Sequence, residues 1–373
     1  MINITDRRQC CGCSACADAC PHRAIRMAED GMGFKYPQVD EALCTDCGIC
    51  ESVCAFKKPV EAAVPFAYAV RFPEYLEGSR SGGAGYALMR HWVESGGIVY
   101  GAVLGDGLRV YHKRADSLEG VAPMRGSKYV QSDMDGIPSM LLEDIKAGRK
   151  VMFTGTPCQC AGIRSVVPEK YSARLFLVDF VCHGTPSPSV WSSYVRSVEK
   201  REGAVATGAD FRDKSFGWKA HKETIFFGDR HVSSDEFTFL FYKHLMLRPS
   251  CGVCPFSRKE RCTDITLGDC WGIHSVLPGF ADDDRGCSLV LVSTYRGTEL
   301  WNEVSAGNKD CVKVNLDDLL QPNLIAPSTL NPRAKSFEND YLRRGYDYVS
   351  RRYGKHSLGN RLDRLTKKIK RHL

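Results

Sequence analysis

Cys10-x2-Cys13-x2-Cys16-x3-Cys20 is followed by Pro21, and Cys44-x2-Cys47-x2-Cys50-x3-Cys54 repeats the spacing with Ala55 in place of the proline. Three thiolates on one tight loop can cap three irons of a cubane, while the fourth reaches across to a second cluster; this spacing, given twice, is that of a pair of 4Fe-4S clusters. It assigns Cys10, Cys13, Cys16 and Cys54 to one cluster and Cys44, Cys47, Cys50 and Cys20 to the other. Cys11 is left as a spare thiol inside the first loop. Zinc sites separate their Cys-x2-Cys pairs by a longer finger, so four cysteines within eleven residues suit zinc poorly.

A second group of cysteines is scattered. Cys251-x2-Cys254-Pro255 supplies a pair, and Cys158 and Cys182 lie at the ends of strand-like runs. Ligands collect outside the carboxyl ends of strands in open α/β sheets, so these four can converge on a third thiolate site, with Cys262 as the rival ligand. Cys160, Cys270, Cys287 and Cys311 read as small buried hydrophobes. His183, directly after Cys182, is a candidate catalytic acid or base because it sits at a strand end; a structural histidine is the plainer alternative. Gly83-Ala84-Gly85 lacks the third glycine of a dinucleotide fingerprint. Ser81-Gly82-Gly83 before a helical stretch suits either an anion or flavin-phosphate seat or an ordinary turn.

These residues need elements to carry them. Gly31 to Val39 reads as a turn and short strand between the two cluster runs, closing an α+β dicluster module over residues 1–60. Beyond a linker, strand-like runs at 66–70, 98–104, 150–153, 175–182 and 288–293 alternate with helical stretches at 86–94, after Pro157 and at 189–202. Such alternation predicts an α/β body. The expected division is 66–145 and 146–320, the latter with the third cluster site, and then a basic, helical tail over 340–373.

With 18 cysteines in 373 residues, half of them within residues 10–54, metal binding is favoured over a disulfide scaffold. The N-terminus has no apolar signal region and no apolar run reaches about 20 residues, so a cytoplasmic location is expected. The formal charge is +7, but residues 342–373 hold eleven Lys/Arg against two Asp, leaving −2 for the rest. The body therefore has no nucleic-acid-binding charge pattern. Leu358, Leu362, Leu365, Ile369 and Leu373 fall on one helical face with basic residues on the other, a pattern for contact with a membrane surface or for docking on the body.

Five stretches, taken in order, carry a resemblance: Glu94-Ser95-Gly96-Gly97-Ile98-Val99-Tyr100-Gly101-Ala102 after Ser81-Gly82-Gly83, Gly126-Ser127-Lys128-Tyr129-Val130-Gln131-Ser132, Thr154-Gly155-Thr156-Pro157-Cys158-Gln159, Asp179-Phe180-Val181-Cys182-His183-Gly184, and Cys251-x2-Cys254 through Asp264 to Gly272. Over about residues 66–301 the chain resembles the beta-subunit family of deazaflavin-coenzyme (F420) hydrogenases and dehydrogenases, behind a fused dicluster ferredoxin. The resemblance implies a body that binds FAD and a 4Fe-4S cluster of its own, with Cys158, Cys182, Cys251 and Cys254 preferred over Cys262. It implies Ser81, Gly82, Gly83, Lys128, Tyr129 and Gln131 around the flavin, with Lys128 able to stabilise its reduced anion. The expected function is an iron–sulfur flavoprotein oxidoreductase, its partners an electron-carrier protein such as ferredoxin and a small-molecule redox substrate. Two alternatives stand beside it: a deazaflavin coenzyme oxidoreductase, and a non-catalytic electron-transfer subunit.

Overall fold

A computed structural model describes residues 1–57, 62–281 and 283–357. Its strands are β1 (Ile25–Glu29), β2 (Lys35–Val39), β3 (Phe66–Val70), β4 (Ile98–Leu104), β5 (Val110–Ala115), β6 (Val151–Thr154) and β7 (Leu175–Phe180), then β8 (Gly208–Asp210), β9 (Glu223–Phe227), β10 (Arg230–Ser234), β11 (Ile265–Asp269), β12 (Ser288–Val292) and β13 (Cys311–Val314).

The N-terminal module is an antiparallel β1–β2 hairpin, Ile25 opposite Val39, flanked by two four-residue helices, Ala15–Asp18 and Ile49–Ser52. Each helix follows a residue in the left-handed region, Ser14 (φ 63°) and Gly48 (φ 76°), which turns the cysteine loop sharply into the helix.

The body is built on one eight-stranded sheet of order β13-β3-β12-β11-β7-β6-β4-β5. Its centre, β11-β7-β6-β4, is parallel, and β5, β12, β3 and β13 are antiparallel to their neighbours. The sheet is therefore mixed where uniform alternation of strand and helix suggested a simple α/β body. It also runs across the expected boundary at 145/146, since β3 to β5 pair into the same sheet as the later strands. The runs Leu-Phe-Leu-Val-Asp in β7 and Ser-Leu-Val-Leu-Val in β12 are buried throughout, as strands covered on both faces must be. Alternate residues divide between the faces. Val99, Met152, Phe176 and Val178 pack beneath helix Ala84–Glu94, whereas Tyr100, Phe153, Leu175 and Leu177 pack with helices Ile137–Lys146 and Pro157–Val166.

A further unit, of which the sequence predicted only the helix at 189–202 and helix in the tail from 340, joins the antiparallel sheet β10-β9-β8 to helices Pro188–Glu202, Glu236–Tyr242, Ala334–Arg344 and Tyr346–Tyr353. Their core holds Trp191, Phe211, Phe237 and Phe337 and also takes in Met32 and Phe34 of the N-terminal module. Residues 340–357 thus belong to the body; the leucine face from Leu358 onward lies outside the described residues. No described helix is long and apolar enough to cross a membrane.

The N-terminal module is fastened to the body at several points. Arg7 pairs with Asp30 and with Glu338 (2.9 Å), Lys35 with Asp133 (2.8 Å), and Ser187 Oγ donates to the Met32 carbonyl (2.5 Å).

Candidate redox site

Two sets of cysteines form within the N-terminal module. Cys20, Cys44, Cys47 and Cys50 line one pocket together with Pro21, Ile25 and Ile49. Cys10, Cys13, Cys16 and Cys54 make the other: burial pushes the Cys16 thiol up, and the neighbouring Cys13, Cys10 and Cys54 push it further. Burial likewise raises Cys54, with Cys13 beside it. The fourth cysteine of each run therefore lies with the opposite trio, as the spacing requires. Backbone amides point at the sulfurs: Gly12 N lies 3.4 Å from Cys10 Sγ and Ile2 N 3.2 Å from Cys50 Sγ. Such donors favour thiolate and suit an anionic cluster. Cys47 is exposed, whereas Cys16 and Cys50 are buried. Among the described residues no group of three His, Cys, Asp or Glu side chains is placed to hold a single metal ion.

The third set comes from three parts of the body. Cys158 opens helix Pro157–Val166 just after β6, Cys182 follows β7, and Cys251 and Cys254 lie on the turn that starts at Pro249. All four line one cavity, with Thr185, Arg248 and Arg261. Gly184 N is 3.4 Å from Cys182 Sγ, Thr185 N is 3.4 Å from Cys251 Sγ and Thr156 Oγ1 is 3.2 Å from Cys158 Sγ. The thiol set and its amide donors fit a 4Fe-4S cluster. Cys262, the rival, does not line that cavity; it lies in an apolar cluster with Ala55, Ala161 and Phe256, against which Cys158 and Cys254 also pack, and burial pushes it up to about 11. Cys160, Cys270 and Cys287 are fully buried and Cys311 half-buried.

Cys11 lines the same cavity, so the spare thiol of the sequence is a point of contact between the two domains. Its Sγ lies 4.0 Å from the Cys158 carbonyl oxygen, and its hydrogen bond to the Cys158 sulfur pulls that thiol down to about 7. Gly162 faces Cys13 so closely that an added Cβ would lie 2.7 Å from its sulfur.

Beside the third cysteine set is a cavity of about 440 Å³. It shares Thr156, Gln159, Cys182, His183, Thr185 and Asn323 with the cysteine cavity. Helix Ala84–Glu94 starts at its wall with no side-chain cap, behind Gly83 at φ +91°. Gly82 lies against the sheet: a Cβ there would meet the Val70 carbonyl at 2.2 Å, so only glycine lets this loop approach β3. Ser81 Oγ donates to the Cys287 carbonyl (2.6 Å), and Gly82 N donates to Ser288 Oγ (2.9 Å). Arg80, Arg125, Lys128 and Arg212 line the cavity with the aromatic rings of Tyr129, Phe241, Tyr242 and Trp271. Lys128 Nζ donates to the carbonyls of Pro123 (2.9 Å) and Arg125 (2.7 Å). Burial still pulls it down to about 7. Arg212 is buried and paired with Asp269 at 2.6 Å.

Of the residues expected around a flavin, Ser81, Gly83, Lys128 and Tyr129 line this cavity. Gln131 does not; its side chain turns to the first cysteine loop and donates to the Cys11 carbonyl (2.8 Å). Val130 and Ser132 on either side of it do line the cavity. His183 lies on the wall shared by both cavities, its Nδ1 3.1 Å from Asn323 Oδ1 and its Nε2 2.7 Å from His244 Nε2. Burial and then the His244 charge hold it below its ordinary value. Arg248, Arg261 and Arg212 had no motif around them to mark them in the sequence.

Residues 148–314 match the model for the C terminus of the beta subunit of coenzyme F420 hydrogenase/dehydrogenase, and residues 9–58 match the 4Fe-4S dicluster domain. Over 39 residues the chain is 46% identical to a ferredoxin-like protein in the nif region of Trichormus variabilis and equally to one of Trichormus azollae; the stretch is 10% of this chain and spans 30% of each relative. A chain of the F420-reducing [NiFe] hydrogenase complex from Methanosarcina barkeri superposes with a TM-score of 0.48 at 19% identity, covering 78% of this chain and 91% of that one, a likeness too distant to carry weight. With its cysteine-built N-terminal module and α/β body, the chain is an iron–sulfur protein of oxidoreductase type, with a 4Fe-4S dicluster domain at its N-terminus and a body related over residues 148–314 to the beta subunit of coenzyme F420 hydrogenase/dehydrogenase.

Proposed function

We propose that the protein is an iron–sulfur flavoprotein that passes electrons between 4Fe-4S clusters and FAD and exchanges a hydride equivalent with a small-molecule substrate. The clusters would carry single electrons and the flavin would pair them for hydride chemistry. The observation that carries this reading is the wall shared by the third cysteine set and the 440 Å³ cavity, a volume in the usual range for ligand sites.

In this reading Cys10, Cys13, Cys16 and Cys54 hold one cluster, Cys20, Cys44, Cys47 and Cys50 a second, and Cys158, Cys182, Cys251 and Cys254 a third. The exposed Cys47 makes the second set the meeting point for an electron-carrier protein such as ferredoxin. The uncapped helix start at Gly83 and the nearby Arg80 and Arg125 offer N–H donors and positive charge to a dinucleotide's phosphates. Tyr129 and Trp271 give flat apolar surface for a ring system, with Lys128 at its edge to stabilise a reduced, anionic ring. His183 and His244 form an imidazole pair that can hold and pass a proton between the cavity wall and the half-buried His244.

The test is iron, sulfide and flavin content of protein purified without oxygen. About twelve irons and one FAD per chain are expected, at four irons per cluster. About eight irons with no flavin would remove both the third cluster and the flavoenzyme, leaving an electron-transfer subunit. The family match favours coenzyme F420 as the substrate, and turnover of that coenzyme against an artificial one-electron carrier would decide it.

A further inference from the structure

Arg248 is one of the largest fully buried side chains in the protein, at 1% exposure, and it lies at the seam between the N-terminal module and the body. Its Nε donates to the Cys10 carbonyl (2.7 Å), one terminal nitrogen to Gln131 Oε1 (2.9 Å), and the other to the Lys35 carbonyl (2.8 Å), while lying 3.6 Å from Cys10 Sγ. The guanidinium stacks over Tyr36 at 4.3 Å. Its own backbone is part of the third site: Arg248 N donates to the Thr185 carbonyl (2.9 Å), its carbonyl accepts from Cys251 N (2.9 Å), and its side chain lines the cavity of Cys158, Cys182, Cys251 and Cys254.

Among the described residues no carboxylate pairs with this cation. The other deeply buried arginines differ: Arg212 has Asp269 at 2.6 Å and Arg261 has Asp179 at 2.6 Å. A buried charge without a counter-charge is costly. The anionic groups in reach of Arg248 are cysteine sulfurs, from a set on each side of the seam. A cubane with four thiolate ligands is negatively charged, and nearby charge is one determinant of its potential.

We propose that Arg248 is the shared counter-ion of the first N-terminal cluster and the third cluster, and that it raises their reduction potentials. It rests on the assignment of clusters to those two cysteine sets. Arg248 acts through Cys10 Sγ and through the field it places between the sets; it is a positioning and tuning residue and touches no substrate. The second cluster, held by Cys20, Cys44, Cys47 and Cys50, has no contact with Arg248 and serves as the internal control.

The experiment is an EPR-monitored redox titration of the full chain, with iron content measured on each sample. Arg248→Met is expected to lower the midpoint of at least one reduction step while another stays put, and Arg248→Lys to recover most of the shift. Gln131→Glu sets a carboxylate against the guanidinium without removing it and is expected to lower the same step, which keeps the test open if Arg248→Met fails to fold. Midpoints unchanged in Gln131→Glu or Arg248→Met at wild-type iron content would overturn the proposal. Iron content separates the two ideas: about eight irons per wild-type chain would remove the third cluster, and a persisting shift would then leave Arg248 as counter-ion to the first cluster alone.

Discussion

Lys128 ends among carbonyl oxygens of its own loop, and burial holds it near 7 against an ordinary value of 10.5. The unfolded chain therefore binds more protons than the folded one between those two pH values, and this group's contribution to stability rises with pH across that window. Lys128→Met should flatten that rise, read as urea midpoints of variant and wild type at both ends of the window. Single residues were legible in the sequence where their spacing was local. The two cysteine runs come together in the two sets their spacing predicts, and Ser81, Gly83, Lys128 and Tyr129 reach one cavity. Gln131 and Cys11 were not legible. Which way an extended segment turns its side chains, and what a spare thiol meets, are set by a surface about 120 residues away along the chain.

At the scale of elements, helix Pro157–Val166 matters most, because it carries Cys158 and presses against the first cysteine loop. Gly162→Ala would gain up to about 1 kcal/mol in helix propensity. The new methyl would meet Cys13 Sγ at 2.7 Å, and overpacking of this kind costs about 1–3 kcal/mol. A lower melting temperature and reduced iron content are expected, and an unchanged iron content would show that the loop simply gives way. The junction of β7 and β11 is held differently. Asp179 is wholly buried and accepts from Arg261 at 2.6 Å, and Arg261 also donates to the Phe256 carbonyl at 2.9 Å beside Cys254. Arg261→Met should cost about 3–5 kcal/mol by leaving a buried carboxylate without its partner, measurable by denaturant unfolding. Strands β2, β3, β4, β6, β7 and β12 were readable from apolar runs and turn residues, while β5, β8 to β10 and β13 were not. The antiparallel edges were not, since strand direction depends on connection geometry and not on composition.

At the scale of the molecule, the N-terminal module is bound to the body by buried and paired contacts: Arg7 with Glu338, Lys35 with Asp133, Arg248 with Cys10, and Phe34 in the core around Trp191. A protease site placed at residues 58–61 and cleaved should therefore leave two pieces that still co-elute on size exclusion; separation would mean that these contacts do not hold the domains together. The sequence by itself determined the N-terminal clusters and the presence of an alternating α/β body. Both follow from short-range rules, the bite of thiolates on one loop and the periodicity of apolar residues along an element. Only the tertiary structure decided that Cys158, Cys182, Cys251 and Cys254 meet while Cys262 stays in an apolar pocket. It alone placed Arg248 between two sets of thiols. Those relations join residues as much as 238 positions apart, and their proximity comes from strand order and domain packing, which no local pattern encodes.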